Sequence, residues 1–171
     1  MNRGHISSLA LVVVLGLVML PSGAVSQQGS LKQQLVGAWT LVSIIATDKA
    51  GGKSDRRGPN PKGLLIFDAS GRYSILTARA VLPNFAIDNV NQGTAEENKA
   101  VMSGMIANVG TWSVDEKTKT ITTNVEAGSF PNLNGKTQTR VISSLTADEL
   151  RYVNGASVSG TVDEAVWRRA K

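Results

Sequence analysis

The chain has 171 residues, and its 18 lysines and arginines exceed its 13 aspartates and glutamates, for a formal net charge of +5. It contains no cysteine, and its one histidine is His5. Because these two side chains supply most nucleophilic, metal-binding and near-neutral acid–base chemistry, the composition argues against a thiol enzyme, a Ser–His–Asp hydrolase and a zinc site. The acidic residues also lack the spacing of a calcium loop, so the sequence predicts neither a metal nor a cofactor.

Residues 1–26 have the three parts of a secretory signal. Arg3 precedes an apolar run from Ile6 to Leu20, and small residues follow at Ala24 and Ser26. The run is shorter than the roughly 20 residues that a membrane-spanning helix needs, which favours cleavage over an uncleaved anchor. We therefore expect a periplasmic or secreted protein whose mature domain, residues 27–171, has no stable membrane span.

The mature chain begins with a short predicted helix and a long predicted strand. Ser30 and Gln33 form a capping-box pattern, which predicts one helical turn. The stretch from Leu35 to Thr47 is β-prone and largely apolar on both alternating faces, as is typical of a strand covered on both sides.

A basic loop is predicted next, from Asp48 to Gly63, because Gly and Pro punctuate it. Its lysines and arginines have neither the interleaved aromatic residues nor the helical stripe of a nucleic-acid-binding surface. We interpret the segment as solvated and predict no nucleic-acid partner, with an anion- or membrane-facing patch as the alternative.

The remaining strands are predicted from alternating apolar and polar residues between turn signals. They span Gly63 to Asp68, Arg72 to Arg79, Gly110 to Val114, Lys119 to Ala127, Lys136 to Leu145, Glu149 to Val153 and Thr161 to Arg168. With the first strand this makes about eight, mostly joined locally, and predicts an all-β, antiparallel up-and-down barrel with one inserted helix.

The segment from Ala80 to Asn108 interrupts the strand pattern. Its irregular first part carries apolar residues such as Phe85, and Thr94 with Glu97 forms a second capping box. The helix that follows has an apolar stripe, formed by Val101, Met102, Met105, Ile106 and Val109. Because a linker would be polar, we expect the segment to fold over one barrel end, with Phe85 and Met102 or Met105 at the entrance to the interior. The alternative is a helix packed on the outer wall.

Four segments carry a family resemblance: Leu35 to Ser43, which contains Gly37-Ala38-Trp39, then Gly63 to Tyr73, Gly93 to Glu97 and Val125 to Asn132. In this order they resemble the bacterial lipocalin-like domain family over nearly the whole of residues 27–171. The resemblance implies a lipocalin-like β-barrel. Unlike ligand-carrying animal lipocalins, the chain has no cysteine for disulfides, and its predicted helix lies mid-chain.

Trp39 and the terminal Trp167-Arg168-Arg169 predict how the barrel closes. The first and last strands of a closed barrel are neighbours, so Arg168 or Arg169 is expected to stack on the Trp39 ring. We interpret this contact as structural closure, not as a ligand site.

Polar residues that point into the barrel would mark a ligand site. Glu126 and Arg140 flank one hairpin connection and can pair across it, and Tyr73 and Arg79 lie on another predicted strand. Together with Phe85, these are the predicted ligand-binding residues, and no catalytic residue is assigned. The alternative for Glu126 and Arg140 is an exterior salt bridge on the solvent face.

Three functions are compatible with this sequence. Binding of a small apolar or amphipathic molecule inside the barrel is favoured, because the chain has few catalytic groups. One alternative is a cofactor-independent barrel enzyme of isomerase or cyclase type, acting through Glu126, Tyr73 and an arginine. The other is a structural envelope protein with a filled barrel.

Overall fold

The structure is a computed structural model that describes residue 1 and residues 29–171. In chain order its elements are α1 Leu31–Leu35, β1 Gly37–Thr47, β2 Lys53–Asp55, β3 Lys62–Phe67, β4 Arg72–Ala78, α2 Ala95–Gly104, β5 Met105–Asp115, β6 Thr120–Gly128, β7 Thr137–Leu145, β8 Glu149–Asn154 and β9 Val162–Arg169. Single 3-10 turns lie at Val90–Gln92 and Pro131–Leu133. Apart from Met1, the predicted signal of residues 1–26 lies outside the described residues. Over the part of the chain that is described, no helix has the length and apolar character needed to cross a membrane.

The strands form one closed antiparallel barrel. Their order is β2-β1-β3-β4-β5-β6-β7-β8-β9, and β1 also pairs with β9, which closes the wall. The short β2 is an additional strand that pairs with residues 45–47 of β1, inside the segment predicted as a loop. The other strands connect neighbours in sequence, which is the up-and-down arrangement. The predicted all-β barrel of about eight strands with one inserted helix is confirmed.

Both helices begin at the predicted capping boxes. The Ser30 hydroxyl accepts from the Gln33 N–H, and the Thr94 hydroxyl accepts from the Glu97 N–H, with the reciprocal bond present in each case. The second helix ends at Gly104, so the predicted stripe beyond it is wrong: Met105, Ile106 and Val109 belong to β5. Pairing of β5 with β4 provides partners for the backbone hydrogen-bonding groups of these residues. This tertiary pairing overrides the helical spacing of the apolar residues in the sequence.

The barrel end at which β1 begins is filled with large apolar side chains. Trp39 and Trp167 are fully buried, and the Phe67 and Trp112 ring centroids lie 4.5 Å apart. Leu35, at the end of α1, is buried against them. We call this half of the barrel the closed end. The expected stacking on Trp39 is confirmed and is made by Arg169, whereas Arg168 is exposed.

Candidate functional site

A cavity of about 320 Å³ occupies the half of the barrel opposite the closed end. Residues near the end of β1, β4 and β8 and near the start of β5, β7 and β9 form its wall, together with the end of α2 and the β8–β9 loop. We call it the mouth cavity. Its volume falls within the roughly 300–1,000 Å³ of small-molecule sites. The barrel is thus filled at one end and open at the other.

The lining of the mouth cavity includes a group of large apolar side chains. They come from the end of α2, the start of β5 and the β6–β7 connection, and they are Met102, Met105, Ile106, Phe130 and Leu133. Met102 remains 46% exposed at the rim. The predicted position of Met102 or Met105 at the entrance is therefore confirmed, and both residues line the cavity.

Arg140 provides one of the positive charges in the lining of the cavity. The residue is only 6% exposed. Its Nη1 donates to Thr123 Oγ1 at 2.8 Å and its Nη2 to Gln138 Oε1 at 3.0 Å, while its Cζ lies 5.7 Å from the centroid of the Tyr152 ring. All of these partners are neutral. Within residues 29–171, no carboxylate lies at salt-bridge distance from this guanidinium.

Arg56 reaches the cavity from the segment after β2 and is paired. Its Nη2 lies 2.8 Å from Asp163 Oδ1, and the guanidinium also donates to the hydroxyls of Ser157, Ser159 and Thr161. These contacts tie the segment after β2 to the β8–β9 loop and to the start of β9. Arg56 therefore fixes one side of the mouth.

Arg57 is also buried at the cavity wall, with 6% exposure. Its Nε donates to Thr77 Oγ1 and its Nη1 to the Ser103 carbonyl, each at 3.2 Å. Burial, with the neighbouring Arg56 charge, lowers the pKa of Arg57. Asp163 is the one carboxylate among the described lining side chains, against three guanidiniums, so the cavity has an excess of positive charge.

The interpretation of the basic segment as a solvated loop is wrong for these two arginines. Lys49, Lys53 and Lys62 of the same segment are exposed, as expected. The backbone N–H of Arg56 donates to the Ile44 carbonyl at 3.0 Å, so the chain continues along β1 past the end of β2. Local sequence carries no signal for the inward turn of Arg57, because its partners come from β4 and α2.

Two tyrosines lie close to Arg140. The Tyr73 hydroxyl donates to Asn108 Oδ1 at 2.6 Å, and Asn108 lines the cavity, as does Tyr152. Burial raises the pKa of both Tyr73 and Tyr152, although the Arg140 charge acts in the opposite direction. Both phenols are therefore neutral hydrogen-bond donors at physiological pH. Tyr73 is interior, as predicted, and reaches the cavity through Asn108.

Glu126 lies on the outer wall. Its carboxylate oxygens accept from Arg72 Nη1 and Nη2 at 2.5 and 2.8 Å, and the two side chains are 50% and 52% exposed. Arg140 is the register partner of Ile121 and shares the inward face of that strand pair. The predicted pairing of Glu126 with Arg140 is wrong, because the two side chains lie on opposite faces of the sheet. The hydrogen bond from Arg72 lowers the pKa of Glu126.

Two further predicted residues do not line the mouth cavity. Arg79 is exposed just after β4, where its backbone N–H donates to the Gly104 carbonyl at 2.9 Å. Phe85 is half-buried in the segment before α2, with its ring against Gly93. The prediction that Phe85 contacts the entrance is wrong, because the irregular segment packs beside α2 rather than over the opening.

The donor set of the mouth cavity suits an amphipathic molecule. Guanidinium, phenol and amide groups line it together with methionine and aliphatic groups. Among the described residues, no group of three or more His, Cys, Asp or Glu side chains is placed to hold a metal ion.

Solved structures that resemble this fold are distant in sequence. A lipocalin-like protein from Bacteroides uniformis ATCC 8492 is 14% identical, with a TM-score of 0.43 over 80% of this chain and 99% of that one. A redesigned β-barrel is 11% identical, with a TM-score of 0.43 over 84% and 100%. Bovine odorant-binding protein, solved in complex with a selenium-containing odorant, is 15% identical, with a TM-score of 0.40 over 85% and 76%. No curated protein matches the chain.

The match to a protein family covers most of the domain. The model of the lipocalin-like domain matches residues 36–170. This range contains every strand of the barrel, both residues of the Trp39–Arg169 contact and all of the side chains that line the mouth cavity. The chain belongs to the lipocalin-like domain family.

Proposed function

We propose that the protein binds a small amphipathic molecule in the mouth cavity. The observation that carries the proposal is the cavity itself, about 320 Å³ in volume and lined by both apolar and polar side chains. A barrel of about eight strands encloses either packed side chains or one small ligand, and this barrel is open in the half opposite the closed end.

The other two functions have less support. A filled structural barrel does not account for the cavity. An enzyme acting through Glu126 would need this carboxylate inside the barrel, with a pKa raised by burial. Glu126 instead lies on the outer wall, and its pKa is lowered. The carboxylate that does line the cavity, Asp163, is engaged by Arg56.

We further propose that the protein acts after export, in the periplasm or outside the cell. The pattern of residues 1–26 supports this, with a basic start, an apolar run and small residues before Gln27. Intact-mass measurement of the protein from fractions of its own host tests it, with a chain beginning at Gln27 as the expected result. A full-length protein in the cytoplasmic fraction would contradict export.

Cavity binding is tested with a neutral fluorescent probe, N-phenyl-1-naphthylamine, and a variant that fills the cavity. Ile106 lines the cavity on β5, and Val109 on the same strand faces outward with 40% exposure. We expect Ile106→Trp to weaken probe binding at least about tenfold, and the matched Val109→Trp to leave it unchanged. Equal binding to the wild type and to Ile106→Trp would place the probe elsewhere and overturn the proposal.

Native mass spectrometry of protein purified from its own host provides an independent test. We expect a co-purifying small molecule of a size that the cavity admits, released when the protein is denatured. Its loss in Ile106→Trp, with retention in Val109→Trp, would assign the molecule to the mouth cavity.

A further inference from the structure

We propose that the ligand carries a carboxylate group, which the guanidinium of Arg140 binds inside the mouth cavity. This inference rests on the proposed function and names the chemical class of its ligand.

Arg140 is a buried positive charge that has no carboxylate partner among residues 29–171. Arg140 is only 6% exposed, yet its hydrogen-bond partners, Thr123 and Gln138, are neutral. Taking a guanidinium out of water is costly unless an anion or a full set of hydrogen bonds replaces the lost hydration. A bound anion would supply the missing partner.

The other arginines of the cavity differ from Arg140 in their partners. Arg56 is neutralised by Asp163. Arg57 donates to the Ser103 carbonyl at the end of α2, where the helix carbonyls carry partial negative charge, so its position has a structural explanation. Among the described residues that line the cavity, Arg140 is the buried arginine whose guanidinium has neither a carboxylate nor a main-chain carbonyl as a partner.

The form of the anion follows from the chemistry of the guanidinium. Its planar fork matches a carboxylate in two-point geometry, and its single positive charge pairs with a single negative charge. Tyr152, held neutral by burial, faces Arg140 and lines the same cavity. The polar end of a ligand would therefore meet Arg140 and Tyr152.

The apolar side chains of the cavity determine the rest of the ligand. Met102, Ile106 and Leu133 suit an alkyl chain or a small ring. A volume of about 320 Å³ corresponds to about ten water-sized groups at roughly 30 Å³ each. A medium-chain aliphatic carboxylate such as octanoate matches this volume and this mixed lining.

Titration calorimetry of the mature protein with three ligands of equal chain length tests the inference. Octanoate, octanol and octylamine present a negative, a neutral and a positive end group on the same chain. We expect octanoate to bind at least about tenfold more tightly than octanol, because octanol cannot form a charged hydrogen bond with Arg140. We expect octylamine to bind most weakly, because its ammonium group is repelled by the guanidinium.

Substitution of Arg140 provides the second arm. We expect Arg140→Met to lower octanoate affinity about 10- to 100-fold and to change octanol affinity less than about threefold. The matched control is Arg72→Met on the outer wall, which should leave both affinities unchanged. Arg140→Lys keeps the charge without the planar fork and should give an intermediate octanoate affinity, so it serves as the test if Arg140→Met does not fold.

The outcomes separate failure of this inference from failure of the proposed function. If the neutral probe and octanol bind in the mouth cavity but octanoate is no tighter, or Arg140→Met weakens both equally, the carboxylate assignment is overturned and cavity binding stands. If neither the neutral probe nor any of the three ligands binds, the proposed function fails with it.

Discussion

The guanidinium carbon of Arg169 lies 4.0 Å from the centroid of the Trp39 ring. The ring is fully buried, and its Nε1 donates to the Leu35 carbonyl at 2.9 Å. Arg169 Nη2 donates to the Gln34 carbonyl at 2.7 Å and Nη1 to the Val36 carbonyl at 3.2 Å. Arg169, at the end of the last strand, is thereby bonded to the segment that precedes the first strand. These hydrogen bonds and the stacking on Trp39 close this end of the barrel.

The contribution of this closure to stability can be measured. We expect Trp39→Ala to lower the free energy of unfolding by about 3–5 kcal/mol, the usual cost of removing a buried aromatic ring. Arg169→Met should cost less, about 1–3 kcal/mol, because it removes hydrogen bonds rather than core volume. The exposed neighbour Arg168 is the matched control, and Arg168→Met should stay within about 0.5 kcal/mol. Urea denaturation compares the three variants, and a Trp39→Ala protein as stable as the wild type would contradict the closure.

The Arg72–Glu126 pair on the outer wall predicts a dependence of stability on pH. The lowered pKa of Glu126 means that its carboxylate favours the folded state above its ordinary pKa of 4.5, and that this contribution is lost as the pH falls through the folded-state pKa. We therefore expect the difference in unfolding free energy between wild type and Glu126→Gln to shrink on acidification below about pH 4.5. Urea denaturation at a series of pH values measures it.

The Arg72→Met background is the control for this experiment, because there the Glu126→Gln substitution should have no pH-dependent effect. Glu126→Gln should also leave probe binding in the mouth cavity unchanged. A loss of binding would return Glu126 to the site and contradict its position on the outer wall.

The fold was predictable because its signals are local. The capping boxes at Ser30 and Thr94 lie at the helix starts, and alternation with turn residues marks each hairpin. The end of α2 was not predictable, because Met105 and Ile106 satisfy a helical stripe and an apolar strand equally well. Only pairing with β4, which is set by tertiary structure, selects the strand.

The site was less predictable, because alternation divides a strand into two faces without stating which face is inside. Arg140 shares its face of β7 with Ile142, which is buried, but Val141 on the opposite face is equally apolar and is exposed, so the sequence of β7 does not show which face is inside. Glu126 lies on the face of β6 opposite Ile121 and Val125, both buried, and this alternation is the signal that places it outside. The inward position of Arg57 depends on Thr77 and Ser103, far along the chain, and local sequence does not show it.

The two tyrosines provide a spectroscopic test of the interior. Tyr73 and Tyr152 are the two tyrosines of the chain, and burial raises the pKa of both above the ordinary value of 10.0. We expect little phenolate absorbance at pH 10 in the folded protein, and about half of the full phenolate absorbance at the same pH in urea, where both phenols have their ordinary pKa of 10.0. The sign of the linkage predicts that stability falls as the pH rises through the folded-state pKa, since the unfolded phenols ionise first. Ordinary titration of both rings in the folded protein would contradict their burial next to Arg140.

Hydrogen exchange distinguishes the two parts of the segment between β4 and β5. Met102 and Ile106 line the mouth cavity, whereas Phe85 packs against Gly93 away from it. We therefore expect a bound ligand to slow amide exchange over residues 95–106 and to leave residues 80–93 unchanged, because contacts with the ligand stabilise only the elements that touch it. Mass spectrometry of peptic peptides, with and without N-phenyl-1-naphthylamine, measures both regions in one experiment. The Ile106→Trp protein with the same probe is the control and should show no added protection. If the probe binds and residues 95–106 exchange as before, α2 does not contact the ligand, and its end would have to be removed from the site.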